Sequence, residues 1–154
     1  MTLPEGFSAA EQRNPSPGHK TFAYVSEVRA DNSRGIIQIS LMDFKRGGVA
    51  GITLDEFAQK MISGIRRPYA DWKETQTLVT LDGVPAKRIA WSGTMQPPGG
   101  SGPERVGVAA VTILAIKDEI GISLQALDRE TRSSGLRPIE SAFMTFALSR
   151  RVRF

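Results

Sequence analysis

The chain contains no cysteine and only one histidine. The first absence excludes disulfides, thiolate nucleophiles and cysteine metal ligands, and it fits a reducing or an oxidising compartment equally. The second leaves His19, in Pro17-Gly18-His19-Lys20, as the one classical general base, with no second ligand near it in sequence. No metal site is therefore expected, and His19 reads as a plain surface residue. No run of eighteen apolar residues occurs, so nothing reads as a membrane-crossing helix. The opening Met1-Thr2-Leu3-Pro4-Glu5-Gly6-Phe7 lacks the basic and apolar regions of a signal peptide. As written the chain reads as cytoplasmic; as a trimmed mature form it reads as periplasmic or cell-envelope.

Charge of one sign is also scarce until the end of the chain. Residues 1–128 hold fourteen Lys and Arg against fourteen Asp and Glu, so the net +4 comes from residues 129–154, with six arginines and two glutamates. Arg150, Arg151 and Arg153 form a basic tail over residues 149–154. Such a tail can complement a helix C-terminus or touch phosphates. The neutrality of the rest argues against nucleic acid as the main partner.

What is present is a strong fold signal. Thr53-Leu54-Asp55-Glu56 is a capping box. Leu54, Phe57, Ala58, Met61, Ile62 and Ile65 then recur at helical spacing over Thr53–Arg67, and Pro68 stops the run. Gln76–Leu81, the turn Asp82-Gly83 and Ala86–Ser92 make a β-hairpin, with Lys87, Ile89 and Trp91 on one face and Arg88, Ala90 and Ser92 on the other.

Alternation predicts further strands over Thr21–Val28 and Ile37–Leu41. Arg105–Lys117 carries apolar residues on both faces and reads as a central, doubly covered strand. Ile120–Ala126 alternates with Gly121, Ser123 and Gln125 and reads as half exposed. A final helix is predicted over Pro138–Arg150, with Ile139, Phe143 and Phe146 buried. Residues 8–20 read as an irregular lead-in, and Met95–Pro103 as a mobile loop. No internal repeat is present. The sum is a single α+β domain, residues 1–154, with an antiparallel sheet of about six strands against two main helices in the order ββαββββα.

The element order, the opening Leu3-Pro4-Glu5-Gly6-Phe7 and the hairpin Leu81-Asp82-Gly83-Val84-Pro85-Ala86-Lys87-Arg88-Ile89 resemble the PsbP-like superfamily. That group includes the bacterial DcrB-type and the eukaryotic Ran-binding Mog-type proteins. Trp91 matches an aromatic residue that many members carry after this motif. The resemblance spans residues 3–149 and implies an accessory or binding module with no shared catalytic residue to carry over. The chain departs from the lipoprotein members in having no lipobox cysteine, which counts against membrane anchoring.

Catalytic sets do not assemble in the sequence. Gly-x-Ser-x-Gly is absent, and Pro98-Gly99-Gly100-Ser101-Gly102 is not followed by the Lys-Ser/Thr and helix of a phosphate loop. Helix capping accounts for Asp55/Glu56 and a hairpin turn for Asp118/Glu119. The better lead is Arg66, Arg67, Tyr69 and Trp72, where two guanidinium groups and two rings follow a helix end in a predicted loop. The competing reading makes Trp72 a core plug and the arginines complements of the helix C-terminus. Ser123 and Gln125 mark a second candidate, a shallow accessible sheet face.

The sequence thus predicts a non-enzymatic module that engages a protein or peptide partner, with no cofactor, metal or catalytic residue. One alternative is a small-molecule-binding enzyme with a carboxylate/Arg site in a sheet cavity. The other is a weak nucleic-acid binder that uses the Arg-rich C-terminus.

Overall fold

Thr53 caps the first helix as its sequence demands. In the computed structural model, which describes residues 1–96, 104–148 and 154, the Glu56 N–H donates to Thr53 Oγ1 at 3.2 Å. The Thr53 N–H returns a bond to Glu56 Oε2 at 3.3 Å. Helix α1 runs Leu54–Arg66 and buries Phe57, Ala58 and Ile62. The Asp82-Gly83 turn also forms as read, with φ of 49° and 77°, the left-handed pair that a tight hairpin requires.

Among the described residues seven antiparallel strands form one sheet: β1 (Phe7–Ser16), β2 (His19–Ser26), β3 (Ile36–Asp43), β4 (Ala70–Leu81), β5 (Val84–Met95), β6 (Val106–Lys117) and β7 (Ile120–Arg129). Their spatial order is β1-β2-β3-β7-β6-β5-β4. Two meanders are therefore zipped together where β7 pairs with β3. Helix α1 links β3, inside the sheet, to β4 on its far edge. A 3₁₀ turn (Glu130–Gly135) and the short helix α2 (Leu136–Phe143) follow β7.

The α+β class and its two helices match expectation, but the sheet is larger than six strands. The additional strand, β1, lies in the segment read as an irregular lead-in. It is an edge strand of polar composition that includes Pro15, and its register with β2 breaks twice, between Ala9 and Glu11 and between Arg13 and Ser16. Such breaks erase the two-residue alternation by which a strand is recognised. The last helix is shorter than predicted and ends at Phe143, although Ile139 and Phe143 are buried and Phe146 packs against the core as foreseen. Of the predicted Met95–Pro103 loop, residues 97–103 lie outside the described residues, and so does the basic tail over 149–153.

Helices lie on both faces. On one side α2 places Leu136, Ile139 and Phe143 over Ile37, Ile39, Val111, Ile113, Ile122, Leu124 and Ala126. On the other, α1 places Phe57, Ala58 and Ile62 with Phe44 over Ile89, Trp91, Val108, Ala110 and Leu114. β6 accordingly has apolar residues facing both ways, as its sequence predicted. The Phe44 and Phe57 rings meet edge to face, 5.2 Å apart.

Candidate functional site

Pro68 ends α1 within a residue of its last turn, and the chain passes directly into β4. The Tyr69 N–H donates to the Arg66 carbonyl at 3.0 Å. Asp71 adopts φ of 53°, and the β4–β5 register shifts between Ala70 and Lys73. This bulge turns Trp72 toward the α1 face, and Thr94 Oγ1 fastens it by donating to Asp71 Oδ2 at 3.0 Å. Trp72 therefore belongs to the bulge of β4 and not to a loop, whereas Tyr69 lies in the short connection between α1 and β4, as the sequence predicted.

Three aromatic rings meet there. Trp72 stacks on Trp91 with centroids 4.6 Å apart and planes 19° apart. Tyr69 meets Trp91 edge to face at 5.0 Å. The opposing residue is Gly93, where a Cβ would stand 3.0 Å from Tyr69 Cβ, so the missing side chain makes room for the tyrosine. Trp91 is buried, and its Nε1 donates to the buried hydroxyl of Thr112 at 3.1 Å. Trp72 and Tyr69 are half-buried, and Trp72 Nε1 donates to Glu74 Oε1 at 3.2 Å. Burial pushes the Tyr69 phenol above its ordinary value. Arg66 and Arg67 are exposed at the end of α1, within three residues of Tyr69 in the chain.

The second sequence candidate separates on inspection. Ser123 is buried and Gln125 half-buried. The reason lies in the residues around them. Phe44, just after β3, lays its ring over Gly121, where a Cβ would stand 2.4 Å from Phe44 Cζ. Ser123 sits between Ser40 on β3 and Leu114 on β6. Small side chains on this strand thus receive a ring and neighbouring side chains where the sequence predicted a shallow accessible face.

A feature that the sequence did not reveal lies on the α2 face. A groove of about 400 Å³ runs over Ala90, Ser92 and Ala109, with Lys73 and Thr75 on one bank and Ser133, Arg137 and Glu140 on the other. Arg88 pairs with Glu140 through both carboxylate oxygens, with Arg88 Nη2 donating to Glu140 Oε2 at 3.0 Å. That hydrogen-bonded pair raises the Arg88 pKa further above its ordinary value. Fifty-two residues separate the two partners, so no spacing rule could join them.

His19 is half-buried, its Nε2 lies 3.3 Å from Thr21 Oγ1, and burial lowers its pKa. Among the described residues no group of three or more His, Asp or Glu side chains could hold a metal ion. Among them too, no helix is long and apolar enough to cross a membrane.

No protein-family model matches the chain, and no curated protein matches it in sequence. Among solved structures it is similar to LpqN of Mycobacterium tuberculosis, a protein involved in cell envelope biogenesis, with a TM-score of 0.58 and 14% identity. The match covers 94% of this chain and 79% of that one. At this identity the likeness is one of fold.

Proposed function

We propose that this chain is a non-enzymatic accessory module that engages a protein or peptide partner, in the manner of PsbP-like and DcrB-type proteins. Its contact edge is Arg66, Arg67, Tyr69 and Trp72, with Gln125 lying apart from it. Ser123, being buried, drops out of the contact surface. The observation that carries the reading is the Trp72–Trp91 stack at 4.6 Å, which fixes a half-exposed ring in the segment that follows the exposed Arg66 and Arg67. A side chain already held in place loses little entropy on binding, and Trp, Tyr and Arg dominate interface energetics. Guanidinium forks favour carboxylates, so the partner segment is acidic. The fold likeness to LpqN supports an accessory role in the cell envelope.

A photoreactive benzophenone amino acid at position 67 tests this reading, with the same group at exposed position 27 as control. Crosslinking at 67 should yield one protein, joined through an acidic segment, and position 27 should not capture it. Identical adducts from both positions would sink the proposal.

The groove beside Arg88 and Glu140 favours a second reading, a small-molecule-binding enzyme with a carboxylate/Arg site. Native mass spectrometry of the chain after incubation with a metabolite mixture decides it. A retained small anion that Arg88→Met and Glu140→Gln release supports it; retention of nothing ends it.

A further inference from the structure

The two edges of the sheet are built differently. β1 is interrupted by two register breaks and contains Pro15. These are the devices by which sheets avoid pairing with other chains. β4, at the opposite edge, has its one bulge before Lys73 and is regular from there to Leu81. From Thr75 to Leu81 it reads Thr-Gln-Thr-Leu-Val-Thr-Leu, seven residues without a charge, a proline or a glycine. Leu78 within it is 76% exposed, more than any other large hydrophobic residue described. Helix α1 packs chiefly over β5 and β6 and α2 over β6 and β7, which leaves Leu78 on this edge uncovered. Among the described residues β4 pairs with β5 alone.

We infer that the outer edge of β4 is where a second copy of this chain docks, antiparallel, about a two-fold axis perpendicular to the sheet at Thr77. Paired residues in a sheet must share a face, which restricts the axis to a residue position. An axis at Leu78 would set Glu74 opposite Asp82, two carboxylates face to face, which is unfavourable. An axis at Thr77 sets Thr75 opposite Val79, Gln76 opposite Leu78 and Glu74 opposite Thr80. Lys73 then lies opposite Leu81 of the partner subunit, so no two charged side chains are directly opposed along the pair. Leu78 enters the shallow groove between β4 and α1 that Asp55, Gln76 and Lys87 line. The result is a continuous sheet through both copies. Both Trp72 rings fall on the same face, about 33 Å apart at ten strand residues of 3.3 Å each. Strand-to-strand contact of this extent is small for an interface, so the dimer depends on concentration.

Light scattering after size exclusion, from micromolar to millimolar chain, tests the inference. The natural sequence should approach the mass of two chains as concentration rises. Thr77→Lys and Thr77→Glu each place like charges opposite one another at the axis, and each should remain a single chain with an unchanged circular dichroism spectrum. Mixing the two variants should restore the two-chain mass. A single-chain mass for the natural sequence at every concentration would overturn the inference. So would a dimer that either variant leaves intact, since that dimer forms elsewhere. Neither failure touches the Arg66–Trp72 contact edge, whose test is crosslinking.

Discussion

Trp72 stacks on Trp91 across the β4–β5 pair, one indole half-exposed and the other buried and hydrogen-bonded to Thr112. The stack joins the core to the proposed contact edge. Trp72→Ala should lower stability by about 1–3 kcal/mol, from lost area and lost ring contact. Trp91→Ala should cost about 3–5 kcal/mol, as for truncation of a buried ring. Urea unfolding of both variants measures the difference; equal losses would make Trp72 a core residue and remove it from the contact edge.

Phe57 anchors α1 and is 2% exposed. Phe57→Ala should lose about 3–5 kcal/mol in the same unfolding measurement. A loss below about 1 kcal/mol would mean that α1 does not pack on the β5–β6 face.

Gly121 lies under the Phe44 ring, and a methyl group there has no room. Gly121→Ala should destabilise by about 1–3 kcal/mol through overpacking. The paired change Gly121→Ala with Phe44→Leu should recover part of that loss, because the ring is the obstacle.

Asp82 fastens the segment that follows α2. Its Oδ2 accepts from Lys117 Nζ at 2.7 Å and from the Leu148 N–H at 2.9 Å. These bonds hold the Asp82 carboxyl below its ordinary pKa, the Lys117 bond contributing most. A carboxylate depressed in the folded state adds stability above its unfolded pKa, and that stability fades as pH falls through the folded value. Thermal melts should therefore show acid destabilisation that Asp82→Asn reduces, and amide exchange at Leu148 should accelerate over the same acid range. Identical pH profiles for the two proteins would contradict this.

How much of this was legible in the sequence depends on where the signal is local. The capping box at Thr53 and the Asp82-Gly83 hairpin involve neighbours in the chain, and both formed as read. The apolar residues on both faces of β6 were enough to place it in the interior of the sheet, one strand from its middle. β1 was invisible because a bulged edge strand has neither alternation nor a buried face along its length. Trp72 was placed in a loop because the bulge at Asp71, which shifts the strand register, has no glycine to announce it. Ser123 was read as open because nothing in a strand's own sequence reveals that it lies between Ser40 of β3 and Leu114 of β6. The Arg88–Glu140 groove depends on a contact between β5 and α2 and so has no local signature.

Arg66 and Arg67, at the end of α1 just before Tyr69 and Trp72, are expected to bind a partner and to have no part in holding the fold. Isothermal titration of the crosslinked partner against the natural chain and the Arg66→Ala/Arg67→Ala double variant measures this most directly. The dissociation constant should rise at least about tenfold, about 1.4 kcal/mol, with the melting temperature unchanged. An unchanged dissociation constant, or binding lost only together with the fold, would contradict it.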